Sequence, residues 1–160
     1  DVAIRIGELP DSSYRAIKVG TVRRVLCASE TYLKTHGHPH KPEDLQHHQI
    51  ILARGLNSTN DIHFNQNDKD LIVRVQPSLT VSDNDSAAKA ATSGIGITRL
   101  LSYQVAENLK NGELKIILSE YESKPVPVYV VHREGRYSSA RIRTFVDLIT
   151  KHLKEQPSLN

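Results

Sequence analysis

The sequence predicts an α/β fold built around a largely parallel sheet. Short apolar strands alternate along the chain with helical stretches, an order that favours helices crossing between parallel strands. In the last helical stretch, apolar residues recur at spacings of three and four. The 160 residues, of which 38% are hydrophobic and 24% charged, suffice for one or two lobes with a real core.

The chain begins with a pattern typical of a half-buried strand. Val2, Ile4 and Ile6 alternate with Ala3 and Arg5, so that the two sets lie on opposite faces of the strand. The loop ELPDSS follows, with turn-forming residues at its centre. The stretch AIKVGTVRRVLCAS is then predicted to be extended, because it is rich in valine.

Two helices, a strand and a hairpin are predicted next. Ser29 is suited to cap the helix ETYLKTH, which Gly37 ends. Pro42 favours the start of a second helix, PEDLQHH, and QIILA is typical of a buried strand. Asn67 and Asp68 mark the turn of a hairpin between DIHFNQ and KDLIVRV.

The second half of the chain continues the alternation of strands and helices. SLTVS, IGIT, ELKIIL and VPVYVVH are predicted strands, and SYQVAENLKNG is a predicted helix. Asp83 or Asn84 caps an alanine-rich helix that Gly94 ends. The final helix, SSARIRTFVDLITKHL, has an apolar face, and its tail EQPSLN is expected to fray. That face comprises Ile142, Phe145, Val146, Ile149 and Leu153.

Charge and cysteine content narrow the class of protein. The net charge is +3 and the 21 basic residues are spread along the chain, so this chain is not expected to grip DNA itself. No membrane span or export signal is recognisable. Cys27 is the single cysteine, which fits a cytoplasmic protein, and its apolar strand predicts a buried, unreactive thiol.

Motifs for metals, nucleotides and catalysis are weak. The cluster HGHPH with His47 and His48 is expected to be a solvated loop, since no HExxH or paired cysteines accompany it. SGIGIT lacks the third glycine of a dinucleotide fingerprint. Because no set of nucleophile, base and oxyanion donors can be assembled, we expect neither an enzyme nor a cofactor.

A strand-to-helix turn in the middle of the chain is a candidate binding element. Ser82, Asp83 and Asn84 follow a predicted strand and open a helix. Ligands of open α/β sheets bind beyond the carboxyl ends of strands, and helix N-termini attract anions. A simple helix cap needs the same residues, so a ligand contact and a structural cap both remain open here.

Several segments together carry a family resemblance. These are DVAIRIGELPDSS, VGTVRRVLCASETYLKTHGHPHKPEDLQHHQII, NDSAAKAATSGIGI, GELKIIL and RIRTFVDLI. In this order and spacing, the chain from Asp1 to about Leu153 resembles the effector-binding domain of LysR-type transcriptional regulators. The block RRVLCASETYL followed by HGHPHKPEDLQHH is its most specific part.

The resemblance implies two Rossmann-like lobes of the periplasmic-binding-protein type II kind, the second complete and the first partial. Residues 1–24 and 131–156 would form the partial, discontinuous first lobe, residues 25–130 the second lobe, and residues 157–160 a tail. The winged helix-turn-helix domain, the linker helix and the opening of the first lobe are expected to be absent from this chain. Exposed apolar edges should follow.

The resemblance also implies which residues line the effector cleft between the lobes. The first lobe would contribute Gly7 and Glu8. From the second lobe would come Ala53, Arg54 and Gly55, then Ser82, Asp83 and Asn84, and the floor formed by Thr92, Ser93 and Gly94. Arg54 beside Gly55 could grip a carboxylate, although a solvated arginine fits the pattern equally well.

The expected function is therefore that of a sensor domain in a bacterial regulator. It would bind a small-molecule effector, an organic acid among the candidates, and would transmit the change to DNA through the absent domain. Self-association is expected, as a dimer, or as a tetramer at full length. The alternative is a fragment of a periplasmic-type solute-binding protein, from which the block RRVLCASETYL distinguishes it.

Overall fold

The computed structural model describes residues 2–9, 14–54, 59–133 and 140–159. The chain divides into two compact units. The discontinuous unit contains Asp1–Val22 and Pro125–Asn160, and the inserted unit contains Arg23–Lys124. This division differs from the predicted boundary at residue 130, because the strand that begins at Val126 pairs along its length with strands of the discontinuous unit.

The strands and helices follow one another in chain order. The strands are β1 (Val2–Ile6), β2 (Tyr14–Val22), β3 (Arg24–Ala28), β4 (Ile50–Ala53), β5 (Asp61–Gln66), β6 (Lys69–Arg74), β7 (Pro77–Val81), β8 (Ile97–Leu101), β9 (Lys115–Ile117) and β10 (Val126–Arg133). The α-helices are α1 (Glu30–His36), α2 (Asn84–Thr92), α3 (Ala106–Lys110) and α4 (Ala140–Lys154). Short 3₁₀ helices cover Pro42–His47, Ser102–Val105, Ser119–Tyr121 and Pro157–Leu159.

The discontinuous unit contains a three-stranded antiparallel sheet with the order β1-β10-β2. Helix α4 packs on β2 and β10 and buries Val146. Leu159 is also buried, and its carbonyl oxygen lies 2.2 Å from where a Cβ on Gly20 would stand. The prediction that the tail frays is therefore wrong for Pro157–Leu159, which pack against β2, whereas Asn160 lies outside the described residues.

Two faces of this unit that the sequence predicts to be apolar and buried are buried only in part. Ile4 and Ile6 are 51% and 40% exposed, so β1 does not bury its apolar side within the chain. Phe145 is 52% exposed although Val146, beside it, is buried. The exposed apolar residues expected from the resemblance are thus present on this unit.

The inserted unit is built on a five-stranded sheet with the order β7-β4-β8-β3-β9. Strand β4 pairs in parallel with β7 and β8, and β3 pairs antiparallel with β8 and β9. One face of this sheet packs on α2, whose Ala87 and Ala91 are fully buried against it. The other face, which we call the hairpin face, packs on the β5–β6 hairpin and α1.

Local capping and turn signals of the inserted unit are confirmed. The Ser29 hydroxyl accepts the Tyr32 N–H at the start of α1, and Asp83 caps α2. Asn67 and Asp68 have positive φ angles of 52° and 61°, as the tight turn between β5 and β6 requires.

Two predicted elements differ in form. The stretch predicted as one extended segment is two strands, β2 and β3, which belong to different sheets and meet at Arg23. Pro42 does open a helix, but it is a short 3₁₀ helix. Among the described residues, no helix is both long and apolar enough to cross a membrane.

A histidine is held neutral beside a buried tyrosine in the inserted unit. The Tyr32 hydroxyl accepts the Gln49 N–H at 2.8 Å and lies 3.1 Å from His48 Nδ1. Burial lowers the pKa of His48, as do the positive charges of His36 and His47, while Asp44 opposes the shift. The neutral ring can accept the tyrosine proton, whereas the protonated ring cannot.

This arrangement predicts how stability responds to acid. The pKa of His48 in the folded protein lies below its unfolded value of about 6.5. The contribution of His48 to the free energy of unfolding is therefore complete above about pH 6.5 and is lost as the pH falls through the folded pKa. The slope from this one proton cannot exceed about 1.4 kcal/mol per pH unit. Urea unfolding of the protein and of His48→Gln between about pH 5 and 8 isolates this contribution as their difference. A difference that does not change across this range would contradict the prediction.

Candidate functional site

The carboxyl ends of three parallel strands define one edge of the inserted unit. Ala53, the last residue of β4, lies opposite Val81, the last residue of β7. The Arg54 N–H donates to the Val81 carbonyl at 2.9 Å, which holds the two strand ends together. This edge is where open α/β sheets bind ligands, and we call it the carboxyl edge.

Arg54 provides the positive charge at this edge. The residue is exposed, and its Nη2 donates to Asn60 Oδ1 at 3.1 Å. A guanidinium has five N–H donors, so this bond leaves donors available for a carboxylate. Ala53 beside it is half-buried, and Gly55, the third predicted residue of this group, lies outside the described residues.

The turn from Ser82 to Asn84 lies next to Arg54, because β7 and β4 are neighbours in the sheet. Asp83 Oδ1 accepts the Ser86 N–H at 2.8 Å, while Oδ2 accepts the hydroxyls of Ser86 at 2.9 Å and Ser82 at 3.0 Å. These bonds hold the pKa of Asp83 below its ordinary value, first through the Ser86 N–H. The carboxylate therefore occupies the helix N-terminus that an anionic ligand would need.

The predicted floor lies elsewhere in the inserted unit. Thr92 ends α2, and Ser93 and Gly94 follow it, so these residues lie about 13 Å along the helix from Asp83. A Cβ on Gly94 would stand 3.7 Å from Ser29 Oγ, which places this turn beside the start of α1. The structure thus brings Arg54 together with Ser82–Asn84 but keeps Thr92–Gly94 apart from them.

Gly7 and Glu8 belong to the discontinuous unit and follow β1. Gly7 has a φ of 111° and donates its N–H to the Pro127 carbonyl at 2.9 Å. Glu8 is exposed. The positive φ angle explains why glycine suits this turn, and a role in binding stays a prediction for both residues.

Sequence reasoning missed a pocket at the same edge of the inserted unit. It has a volume of about 150 Å³ and is lined by Arg24, Asn84, Arg99, Leu100, Leu101 and Gln104. Leu101 ends β8, the strand next to β4, and Arg24 starts β3, the strand after that, so the pocket begins one strand along the edge from Arg54. The missed signal was a charged residue, Arg99, inside the apolar strand ITRLL.

The single cysteine and the possible metal ligands are further reactive groups of the described residues. The Cys27 thiol is fully buried, as predicted, and burial raises its pKa to about 12, which disfavours the nucleophilic thiolate. Within residues 2–9, 14–54, 59–133 and 140–159, no three histidine, cysteine or acidic side chains are grouped as metal ligands would be.

Comparison with known proteins gives a consistent picture. The family model described as "LysR substrate binding domain" matches residues 1–154. Among curated proteins, the HTH-type transcriptional activator AaeR of Escherichia coli strain K12 is 30% identical over 157 residues, covering 97% of this chain and 50% of that protein. The HTH-type regulator CrgA of Neisseria meningitidis serogroup B is also 30% identical, with 96% of this chain and 51% of that protein covered.

Solved structures agree with the sequence comparison. The regulatory domain of CrgA from Neisseria meningitidis superposes with a TM-score of 0.81 at 30% identity, covering 96% of this chain and 75% of that one. Full-length AphB, a virulence activator of Vibrio cholerae, superposes with a TM-score of 0.83 at 27% identity, covering 95% and 51%. The chain thus spans about half the length of the curated relatives and the full-length structures that it matches.

Proposed function

Because the chain belongs to the LysR substrate binding domain family, we propose that it is the effector-sensing regulatory domain of a DNA-binding transcriptional regulator. The family match over residues 1–154 carries this proposal. The curated relatives are named as HTH-type transcriptional regulators and are about twice as long as the matched region. In the proposal, a helix-turn-helix domain outside this chain contacts DNA, and this chain binds the signal.

The proposed signal is a small organic acid bound at the carboxyl edge. The exposed guanidinium of Arg54 supports this choice, because its free N–H groups can pair with a carboxylate in two parallel bonds. Asn84, which opens α2 and lines the neighbouring pocket, can supply amide donors or acceptors. Binding would favour one conformation of the regulator in proportion to its differential affinity for the two.

The proposed role as a transcriptional regulator also implies a location, an oligomeric state and binding without catalysis. The protein acts in the cytoplasm, where DNA is available. It self-associates, as a dimer, or as a tetramer when full length. It binds its ligand without transforming it, so catalysis is not part of the function. A transport-type solute-binding protein is less well supported, since the relatives are named as regulators.

The experiment is a thermal-shift screen of the purified chain against a panel of small organic acids. We expect at least one acid to raise the melting temperature in a saturable way. Replacing Arg54→Gln should then weaken the affinity at least about tenfold, because a charge-assisted hydrogen bond contributes about 1.5–3 kcal/mol.

Arg141→Gln is the matched control, since it removes an exposed arginine of α4 in the discontinuous unit. This variant should respond to the acid as the unchanged protein does. If Arg54→Gln and Arg141→Gln bind equally well, Arg54 does not contact the effector. If every acid leaves the melting temperature unchanged, the carboxyl edge does not bind organic acids.

A further inference from the structure

Two arginines lie side by side on the hairpin face of the inserted unit. Arg24 precedes Leu26 by two residues, and Arg99 follows Ile97 by two, so both arginines point to the face that these buried residues share. In the register of β3 and β8, Arg24 lies opposite Leu101 and Leu26 opposite Arg99. The two arginines are thus diagonal neighbours, with their Cβ atoms about 7–8 Å apart at most.

The half-buried guanidinium of Arg99 has few hydrogen-bonding partners. Its Nη1 donates to the His63 carbonyl at 3.4 Å, which is the sole side-chain hydrogen bond of Arg99 found among the described residues. Burial lowers the pKa of Arg99, and the positive charge of Arg24 lowers it further. Both effects raise the free energy of the positive charge, which Arg99 nevertheless keeps because a guanidinium stays protonated in proteins.

Nearby carboxylates do not neutralise the pair. Glu122 lines a small cavity beside Arg24 and Arg99, but it is bound to Arg23, with oxygen–nitrogen distances of 3.2 and 3.3 Å. Asp83 is engaged by Ser82 and Ser86, as described above. Within the part of the chain that the structure describes, neither Arg24 nor Arg99 forms an ion pair.

The pocket beside the arginines has polar groups suited to a ligand. Gln104 Oε1 accepts the Leu101 N–H at 3.0 Å, which orients the amide. Among the described residues, its NH₂ group makes a single long contact, 3.5 Å from the Tyr103 hydroxyl. Asn84 also lines the pocket, and Leu100 and Leu101 are its apolar lining residues. The pocket is open to solvent, and its volume of about 150 Å³ leaves room for a small anion beside the arginines.

We propose that Arg24 and Arg99 form a binding site for a small anion with two negative charges, such as a dicarboxylate or a phosphate group, with Asn84 and Gln104 as further hydrogen-bonding partners. The bound anion neutralises both guanidiniums and uses their unpaired N–H donors. The site spans β3 and β8, the strand next to β4, and it shares Asn84 with the proposed effector site but does not include Arg54.

The first experiment measures anion binding to the purified chain. Sodium sulfate and sodium succinate are titrated separately, with ionic strength held constant by sodium chloride, and the melting temperature is recorded. A saturable rise is expected. Arg24→Gln and Arg99→Gln should each weaken the apparent affinity at least about tenfold, because each removes charge-assisted hydrogen bonds, while Arg141→Gln should leave it unchanged.

The second experiment separates binding from a structural role. Because Arg99 is half-buried and makes one long hydrogen bond, Arg99→Met should not lower the melting temperature in chloride buffer but should abolish the response to sulfate. A structural arginine would instead lose stability on this change. Arg24 is exposed, so Arg24→Gln tests binding even if a variant at Arg99 does not fold.

The outcomes distinguish this site from the proposed effector function. An equal response to sulfate and succinate in all variants would show a general salt effect and overturn the anion site. If only Arg54→Gln loses the response to the organic acid and no variant changes the response to sulfate, the effector role of Arg54 is supported and the anion site at Arg24 and Arg99 is overturned. Loss of the sulfate response in Arg24→Gln and Arg99→Gln alone would support the anion site independently.

Discussion

Replacing Gly96 with alanine is expected to lower the free energy of unfolding by about 3 kcal/mol. Gly96 precedes β8, and a Cβ at this position would lie 2.4 Å from the Gln49 carbonyl oxygen and 3.0 Å from its carbon. These are backbone atoms, so a rotamer change cannot relieve the clash. The same carbonyl accepts the Ile97 N–H at 2.9 Å, and a shift that admits the methyl group weakens this bond as well.

Gly112→Ala is the control for this prediction. Gly112 has a φ of 74°, but a Cβ there would meet nothing within 4 Å, so the change introduces backbone strain without a clash. That strain costs about 1–2 kcal/mol. Urea unfolding followed by circular dichroism should therefore rank Gly96→Ala as the more destabilised variant. The reverse ranking would mean that the segments around Gly96 and Gln49 have room between them.

Ile51→Ala is expected to cost about 2–5 kcal/mol of the free energy of unfolding. Ile51 is fully buried in β4, where it lies opposite Leu79 of β7 and Thr98 of β8. Its side chain packs in the cluster that holds Ala87 and Ala91 of α2 against the sheet. Truncation leaves a cavity in the centre of the inserted unit, where the close packing of neighbouring strands limits collapse.

Ile72→Ala makes the same chemical change on the surface. Ile72 lies in β6 and is 55% exposed, so its truncation should change the free energy of unfolding by no more than about 0.5 kcal/mol. The comparison removes any general effect of exchanging isoleucine for alanine. Similar losses for the two variants would contradict the position of Ile51 at the centre of the packed sheet.

Elements with local signals could be predicted from the sequence. Ser29 and Asp83 cap their helices through their own side chains, and Asn67 and Asp68 adopt the positive φ angles of a tight turn. These features depend on residues within a few positions of each other. The change of sheet at Arg23 lacks such a signal, because valine-rich sequence continues on both sides and only long-range pairing separates β2 from β3.

The candidate site was predictable to the same extent. The resemblance placed Arg54 and Ser82–Asn84 in one cleft, and the strands that they follow, β4 and β7, are parallel neighbours. Thr92–Gly94 lie at the far end of α2, since the helix returns the chain to the start of β8. Pairing Arg24 with Arg99 needed the register between β3 and β8, which sequence periodicity does not specify.

The discontinuous unit also sets an order of events during synthesis. Strand β10 lies between β1 and β2, yet it leaves the ribosome only after the whole of Arg23–Lys124 has been made. The inserted unit has all its partners in one continuous segment and can fold as soon as it emerges. Until β10 emerges, β1 and β2 lack the strand that lies between them. Nascent chains that end before Val126 therefore expose the unpaired edges of β1 and β2, to which a holdase chaperone can bind.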